Sequence, residues 1–340
     1  MTPLSHRERV AAALSFAEVD RTPYTVWTHY PGTDLHPAEL ARVQVRDAVR
    51  YDFDLIKIAN NGLFSVLDYG TAYVKDAAGL PLTDKYGTLT VDTYGVTESA
   101  QWRSLPVQDP EKGSLGDQLE IVRRMRVELD AADKNDLPVV ATIYSPLTSA
   151  YKLGGELLLK DMKERPEDIH TALRALTDTA IRYAQRCIEF GADGFFFASQ
   201  LSRLDFMDEV TYGEFGERYD RLLFESFAGR TFLDIVHIHG EHAMFDKLAA
   251  YPANCVNWHD RWIGPSIAEA RNRTPKCLLG GIDEENALGV MPDDAFAHHI
   301  KEAIAMGKGG GFILGPGCTA SPNAPESHMQ MIREVLERNR

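Results

Sequence analysis

"RPEDIHTALRALTDTAIRYAQRCIEFGADGFFFAS", residues 165–199, reads as a helix handed directly to a strand. Glu167 and Asp168 stand in the first turn, where free N–H groups and the macrodipole favour negative charge. Gly191 follows the last helical residues, as a C-terminal cap favours. The run "DGFFFAS" (193–199) that comes next is apolar throughout. A strand with no polar face is covered on both sides, which is the pattern of a parallel sheet.

The same unit recurs along the chain. Short β-branched or aromatic runs occur at "TPYTVW" (22–27), "DLIKIA" (54–59), "PVVATIYS" (138–145), "DIVHIHG" (234–240), "ANCVNWH" (253–259), "KCLLGGID" (276–283) and "GGFILGPG" (310–317). With 193–199 these make eight. Helical stretches separate several of them, and "PDDAFAHHIKEAIAMGKGG" (292–310) and "PESHMQMIREVLERN" (325–339) open with Pro and acids as helices do. Eight such units in 340 residues predict an α/β fold, a (β/α)8 TIM barrel spanning 1–340 as one domain. A doubly wound open sheet is the alternative, but no Gly-rich phosphate turn is present. "LPLTDKYGTLTVDTYGVTESAQW" (80–102) breaks the rhythm with Gly-punctuated alternation, and is expected to be a β-hairpin inserted after the second strand that walls the barrel top.

Net charge of −14 argues against nucleic acid as the main partner. No run approaches the ~18 apolar residues of a membrane span, and the N-terminal stretch lacks a signal-peptide core. Four scattered cysteines (Cys187, Cys255, Cys277, Cys318), none in a CxxC pair, fit reduced thiols. A cytoplasmic protein with neither nucleic-acid nor membrane partner is expected.

Barrel chemistry gathers at the C-terminal ends of strands. There the sequence offers His29, Asn60, Tyr144, Gln200, His237, His239, His259, Asp260, Asp283 and Cys318. Period 2 puts His237 and His239 on one strand face. With Cys318, returned by the last strand and turned by "GPG", they form a candidate zinc set with a fourth position open. The bland reading is two hydrogen-bonded imidazoles and a small buried thiol. His259 and Asp260 are candidate proton-relay or outer residues, with Tyr144 as a further catalytic candidate. Trp27, His29, Asn60, Gln200 and Asp283 are candidates for substrate binding, although Asp283 equally fits a helix N-cap and Trp27 a packed rim.

In order and spacing, "RERVAAALSFAEVDRTPY", "YDFDLIKI", "DKYGT", "YSPLTSAYKLGG", "GADGFFFASQ", "HIHG", "VNWHD", "LLGGIDEE" and "GGFILGPGCTASPNAPESHMQMIREVLE" resemble the uroporphyrinogen decarboxylase superfamily. That superfamily includes zinc-dependent, corrinoid-linked methyltransferases, and its fold is a (β/α)8 barrel. The true decarboxylases carry an Arg-rich segment after the first strand, which suits a substrate with many carboxylates. Here the segment is "VWTHYPGTDLHP" (26–37), with no Arg or Lys, so the resemblance points to the methyltransferase branch. That branch's His-x-Cys…Cys zinc motif maps onto His237, His239 and Cys318, with His239 in place of the middle Cys.

The resemblance therefore implies a Zn2+ enzyme of one-carbon metabolism. It would move a methyl group from a small methylated substrate to a corrinoid on a separate protein, or to another acceptor. The loss of one thiolate counts against a thiol acceptor and leaves room for a demethylase. A homodimer would match family habit. Two other readings stand beside this one. One is a metal-free decarboxylase or lyase using His29, His259, Asp260 and Tyr144. The other is a non-catalytic tetrapyrrole or corrinoid binder.

Overall fold

The computed structural model describes residues 3–339. Seven of the eight runs form one parallel sheet. Its strands are β1 (Ile56–Lys57), β4 (Val139–Tyr144), β5 (Gly194–Ser199), β6 (Ile235–Ile238), β7 (Cys255–Trp258), β8 (Cys277–Ile282) and β9 (Phe312–Pro316), hydrogen-bonded in that order. Two shorter strands, β2 (Ala72–Tyr73) and β3 (Val91–Thr93), pair antiparallel apart from it.

The sheet curls. The first run, 22–27, makes no ladder but links both ends of the sheet. Leu314 N donates to Pro23 O and Thr25 N to Leu314 O on the β9 side, and Asp54 N donates to Tyr24 O just before β1. Pro23 has no N–H, so this segment cannot offer the continuous donors of a strand. Asp54 fastens it from beneath, accepting from Tyr24 N at 2.9 Å and from Arg9 Nη1 at 2.6 Å.

Alternation within β5 separates core from cavity. Phe195 and Phe197 point outward onto the helix Arg218–Phe227, with ring centroids 4.7 Å from Phe227 and 4.8 Å from Phe224. Phe196 points inward, 5.4 Å from Trp27 and 5.0 Å from His237. Burying each outward Phe contributes roughly 1.5–3 kcal/mol. The helix Pro166–Glu189, with Pro at its start and Gly191 at φ +102° beyond its end, spans the stretch that the caps marked.

The excursion expected as a hairpin over 80–102 is differently drawn. Antiparallel pairing starts earlier, at Ala72, and ends at Thr93, with inner bridges Lys75–Pro81 and Thr83–Leu89. Residues Ser99–Ser104 form a 3-10 helix instead. The tip reaches the loop after β8, where Lys85 and Tyr86 both bond to Glu285. Among the described residues, no helix is long and apolar enough to cross a membrane.

Candidate active site and metal centre

A cavity of about 550 Å³ opens at the C-terminal ends of the strands. Trp27, His29, Asn60, Tyr144, Gln200, His237, His239, His259 and Cys318 all line it. One wall is the excursion, through Asp84, Tyr86 and Thr88.

His237, His239, His259 and Cys318 each aim one donor atom at a common point, and these atoms lie within 4.8 Å of one another. Cys318 Sγ is 3.6 Å from His237 Nε2 and 3.7 Å from His239 Nδ1, and His259 Nε2 is 3.3 Å from His239 Nδ1. His259, read from the sequence as an outer or relay residue, is thus placed as a fourth donor. The strands explain this convergence. His237 pairs with Asn257 in register between β6 and β7, so the residues two further on, His239 and His259, leave neighbouring strands together.

Each outer bond fixes an imidazole. His237 Nδ1 meets Asn257 Oδ1 at 2.6 Å, and Asn257 is itself pinned because its Nδ2 donates to Leu279 O and Pro316 O. With that amide nitrogen spent, Asn257 Oδ1 can only accept, so Nδ1 carries the proton and Nε2 faces the cluster with its lone pair. His259 Nδ1 donates to Glu284 Oε1 at 2.7 Å, which leaves its Nε2 free in the same way.

Burial then keeps His237, His239 and Cys318 uncharged. It pushes His239 down to about 3, helped by the nearby Arg203 and Lys152 charges, and holds His237 well below the usual imidazole range. Burial also pushes the Cys318 thiol up to about 12, with the Glu284 charge adding to it. Three imidazoles and a thiol crowded this closely, with the outer nitrogens of His237 and His259 fixed, could hold a metal ion, which would draw the proton from the thiol.

Two acids singled out in the sequence are not brought to the cavity. Period 2 turns Asp260 away from the face that His259 takes, and its carboxylate accepts from Gly281 N at 3.1 Å. Burial there raises it to about 7. Asp283 Oδ1 accepts from Glu285 N and Asn286 N, which makes it a turn cap. The acid that matters at this rim is their neighbour Glu284. Tyr144 stays at the cavity, stacked on Phe64 at 5.4 Å, with burial driving its hydroxyl pKa up.

Glu284, Lys57, Lys152 and Trp262 also line the cavity without having been singled out. Lys57 had a signal, as a cation inside the apolar run "DLIKIA". Glu284 had less, being the middle one of three consecutive acids.

Known proteins resemble the whole chain. The methylcobamide:CoM methyltransferase MtaA of Methanosarcina barkeri is 21% identical over 356 residues, covering 98% of this chain and 97% of that one. Among solved structures, a methyltransferase from Methanosarcina mazei superposes with a TM-score of 0.83 at 18% identity over 99% of both chains. A B12-independent methionine synthase from Shewanella sp. W3-18-1, in complex with selenomethionine, reaches 0.60 at 12% identity over 94% of both. At these identities the superpositions speak for the fold alone. A sequence profile described as uroporphyrinogen decarboxylase (URO-D) matches residues 5–338, and on that nearly complete match the chain belongs to the uroporphyrinogen decarboxylase family.

Proposed function

We propose that this protein is a zinc-dependent methyltransferase of one-carbon metabolism. It would move a methyl group between a small substrate and a corrinoid carried by a separate protein. The observation that carries this reading is the convergence of His237, His239, His259 and Cys318 at the cavity floor. Tetrahedral zinc with Zn–N bonds of about 2.0–2.1 Å and Zn–S of about 2.3 Å implies donor–donor edges of about 3.3–3.6 Å. Two of the closest contacts, 3.3 and 3.6 Å, fall within that range, and the third, 3.7 Å, lies just beyond it. The whole-length likeness to the methylcobamide:CoM methyltransferase supports the reaction class. In the same reading, segment 22–27 completes the eighth position of a closed barrel.

When bound, zinc supplies Lewis acidity to a substrate heteroatom. The chain's own residues do the rest. Cys318 would hold the metal as a thiolate, together with His237 and His239. Asn257 and Glu284 hold the imidazoles of His237 and His259 at fixed tautomers. Trp27, Phe196 and Trp262 line the cavity and keep water from the reacting group. His259 would be the fourth residue able to hold the metal.

Elemental mass spectrometry of the purified protein tests this. About one zinc per chain is expected, lost in His237→Ala and in Cys318→Ala. A wild-type protein that holds no zinc even when offered it overturns the reading and turns attention to the metal-free lyase.

A further inference from the structure

The three imidazoles of the cluster do not enter it by the same atom. His237 and His259 offer Nε2, because Nδ1 of each is held by Asn257 and by Glu284. His239 is turned the other way. Its Nδ1 lies 3.3 Å from His259 Nε2 and 3.7 Å from Cys318 Sγ, which leaves Nε2 as its outer nitrogen. That Nε2 makes no hydrogen bond or ion pair among the described residues, and it is not sealed from solvent as His29 Nδ1 and Asn60 Nδ2 are. His237 and His259 are 4% and 5% exposed, whereas His239 is half-buried and lines the cavity. The outer nitrogen of His239 therefore opens onto the cavity.

The side chains around it do not take it up. Arg203, packed against Gly240, is itself a donor, with Nε on Glu241 O and Nη2 on Asp205. Glu241 is exposed and makes no bond to the ring. His259 and Cys318 lie on the Nδ1 side.

A neutral imidazole shares one proton and one lone pair between its two nitrogens. A metal held by Nδ1 takes the lone pair there, so the proton sits on Nε2. Metal-bound imidazoles nearly always give that outer proton to a carboxylate, a carbonyl or water. His237 and His259 do so with partners from the protein. For His239 the protein supplies none, so the acceptor is whatever enters the cavity. Because the ring is bound to a cation, the bond it makes is charge-assisted.

We propose that the Nε2–H of His239 is a hydrogen-bond donor to the substrate, and that the substrate meets it with an oxygen. A thioether sulfur is a weak acceptor and would leave the donor unpaired. The cavity then favours a methyl group carried on oxygen over one carried on sulfur. This names the substrate class within the proposed function and rests on its metal reading.

Nuclear magnetic resonance of zinc-loaded protein with isotope-labelled histidine tests the donor, with two matched neutral probes, 2-methoxyethanol and 2-(methylthio)ethanol. The His239 Nε2–H signal is identified by its loss in His239→Cys and in His239→Gln, and either variant suffices if the other fails to fold. On adding the ether, that signal is expected to move downfield and exchange more slowly with water, while the Nδ1–H signals of His237 and His259 stay in place. The thioether should leave it unmoved. The ether should bind about 3–10-fold more tightly than the thioether. His239→Cys keeps a zinc ligand and removes the N–H, so it should abolish that preference. An ether that does not bind, a His239 signal that ignores it, or a preference that survives His239→Cys overturns the proposal. Zinc content is measured on the same samples. Protein that takes up no zinc removes the proposed function and this inference with it. Zinc-loaded protein with an unresponsive His239 signal removes this inference alone.

Discussion

Glu284 grips His259 and the Cys318 loop with the two oxygens of one carboxylate. Oε1 accepts from His259 Nδ1 at 2.7 Å and Oε2 from Gly317 N at 3.0 Å, one residue before Cys318. Trp262 Nε1 donates to Oε1 at 3.1 Å and fixes the carboxylate in turn. Two donors that follow different strands are therefore set by a single side chain.

Glu284→Gln removes the charge, and its amide cannot accept from both His259 and Gly317. Metal affinity should fall by about 10–100-fold, as when other outer partners of metal ligands are changed. Competition with a chromophoric chelator measures this. An unchanged affinity would show that the cluster orients itself without the carboxylate.

Gly317→Ala places a methyl where no space exists. A Cβ there would sit 2.7 Å from Trp258 O and 2.9 Å from both Glu284 Oε2 and His259 Cα. Backbone on two sides cannot yield, so the Cys318 loop must move. A loss of about 1–3 kcal/mol in stability is expected, with lowered zinc content. Thermal melts beside metal analysis would check it, and a variant with wild-type melting and full metal content would contradict the packing.

His259→Ala separates a four-donor cluster from a three-donor one. If His259 completes the cluster, cobalt-substituted protein should lose its tetrahedral visible spectrum on substitution. A spectrum unchanged from wild type would leave His259 outside the ligand set. His237→Ala serves as the control that abolishes the spectrum.

Asp34 predicts a pH dependence. Its carboxyl is 2% exposed, neither oxygen has a hydrogen-bond partner, and burial raises it to about 7. The native state therefore keeps a proton that the unfolded chain releases near its ordinary value of about 3.9. Between those values stability falls as pH rises, and above about 7 the full cost of the buried charge is present. Asp34→Asn should change little at pH 4 and stabilise by about 1–3 kcal/mol at pH 8. Urea unfolding at both pH values decides it. A gain of equal size at both would place the cause outside this titration.

Much of this architecture was legible because its signals are periodic. Seven apolar runs became strands, since an all-apolar run has nowhere to go but a covered sheet. The first run did not form a ladder, because Pro23 interrupts its donors. The His237–His239 spacing put both rings at one rim, and "GPG" turned Cys318 towards them. What was not legible depends on which of several neighbours faces inward. His259 and Asp260 are adjacent, so only one could reach the cavity. Among Asp283, Glu284 and Glu285, one caps a turn, one braces the cluster and one ties down the excursion. Three acids in a row give no hint of that division of labour. Lys57 was visible as a charge in an apolar run, but that its side chain lines the cavity is a property of the surrounding strands.

The donors are distributed so that the site exists only late in the life of a nascent chain. His239 leaves the ribosome 79 residues ahead of Cys318. A chain still short of Cys318 can therefore present the three imidazoles of the cluster but not its thiol. Capture waits for β9, whose arrival also draws the run at 22–27 into place through Leu314. One event of synthesis thus seals the sheet and completes the cavity's set of four donors.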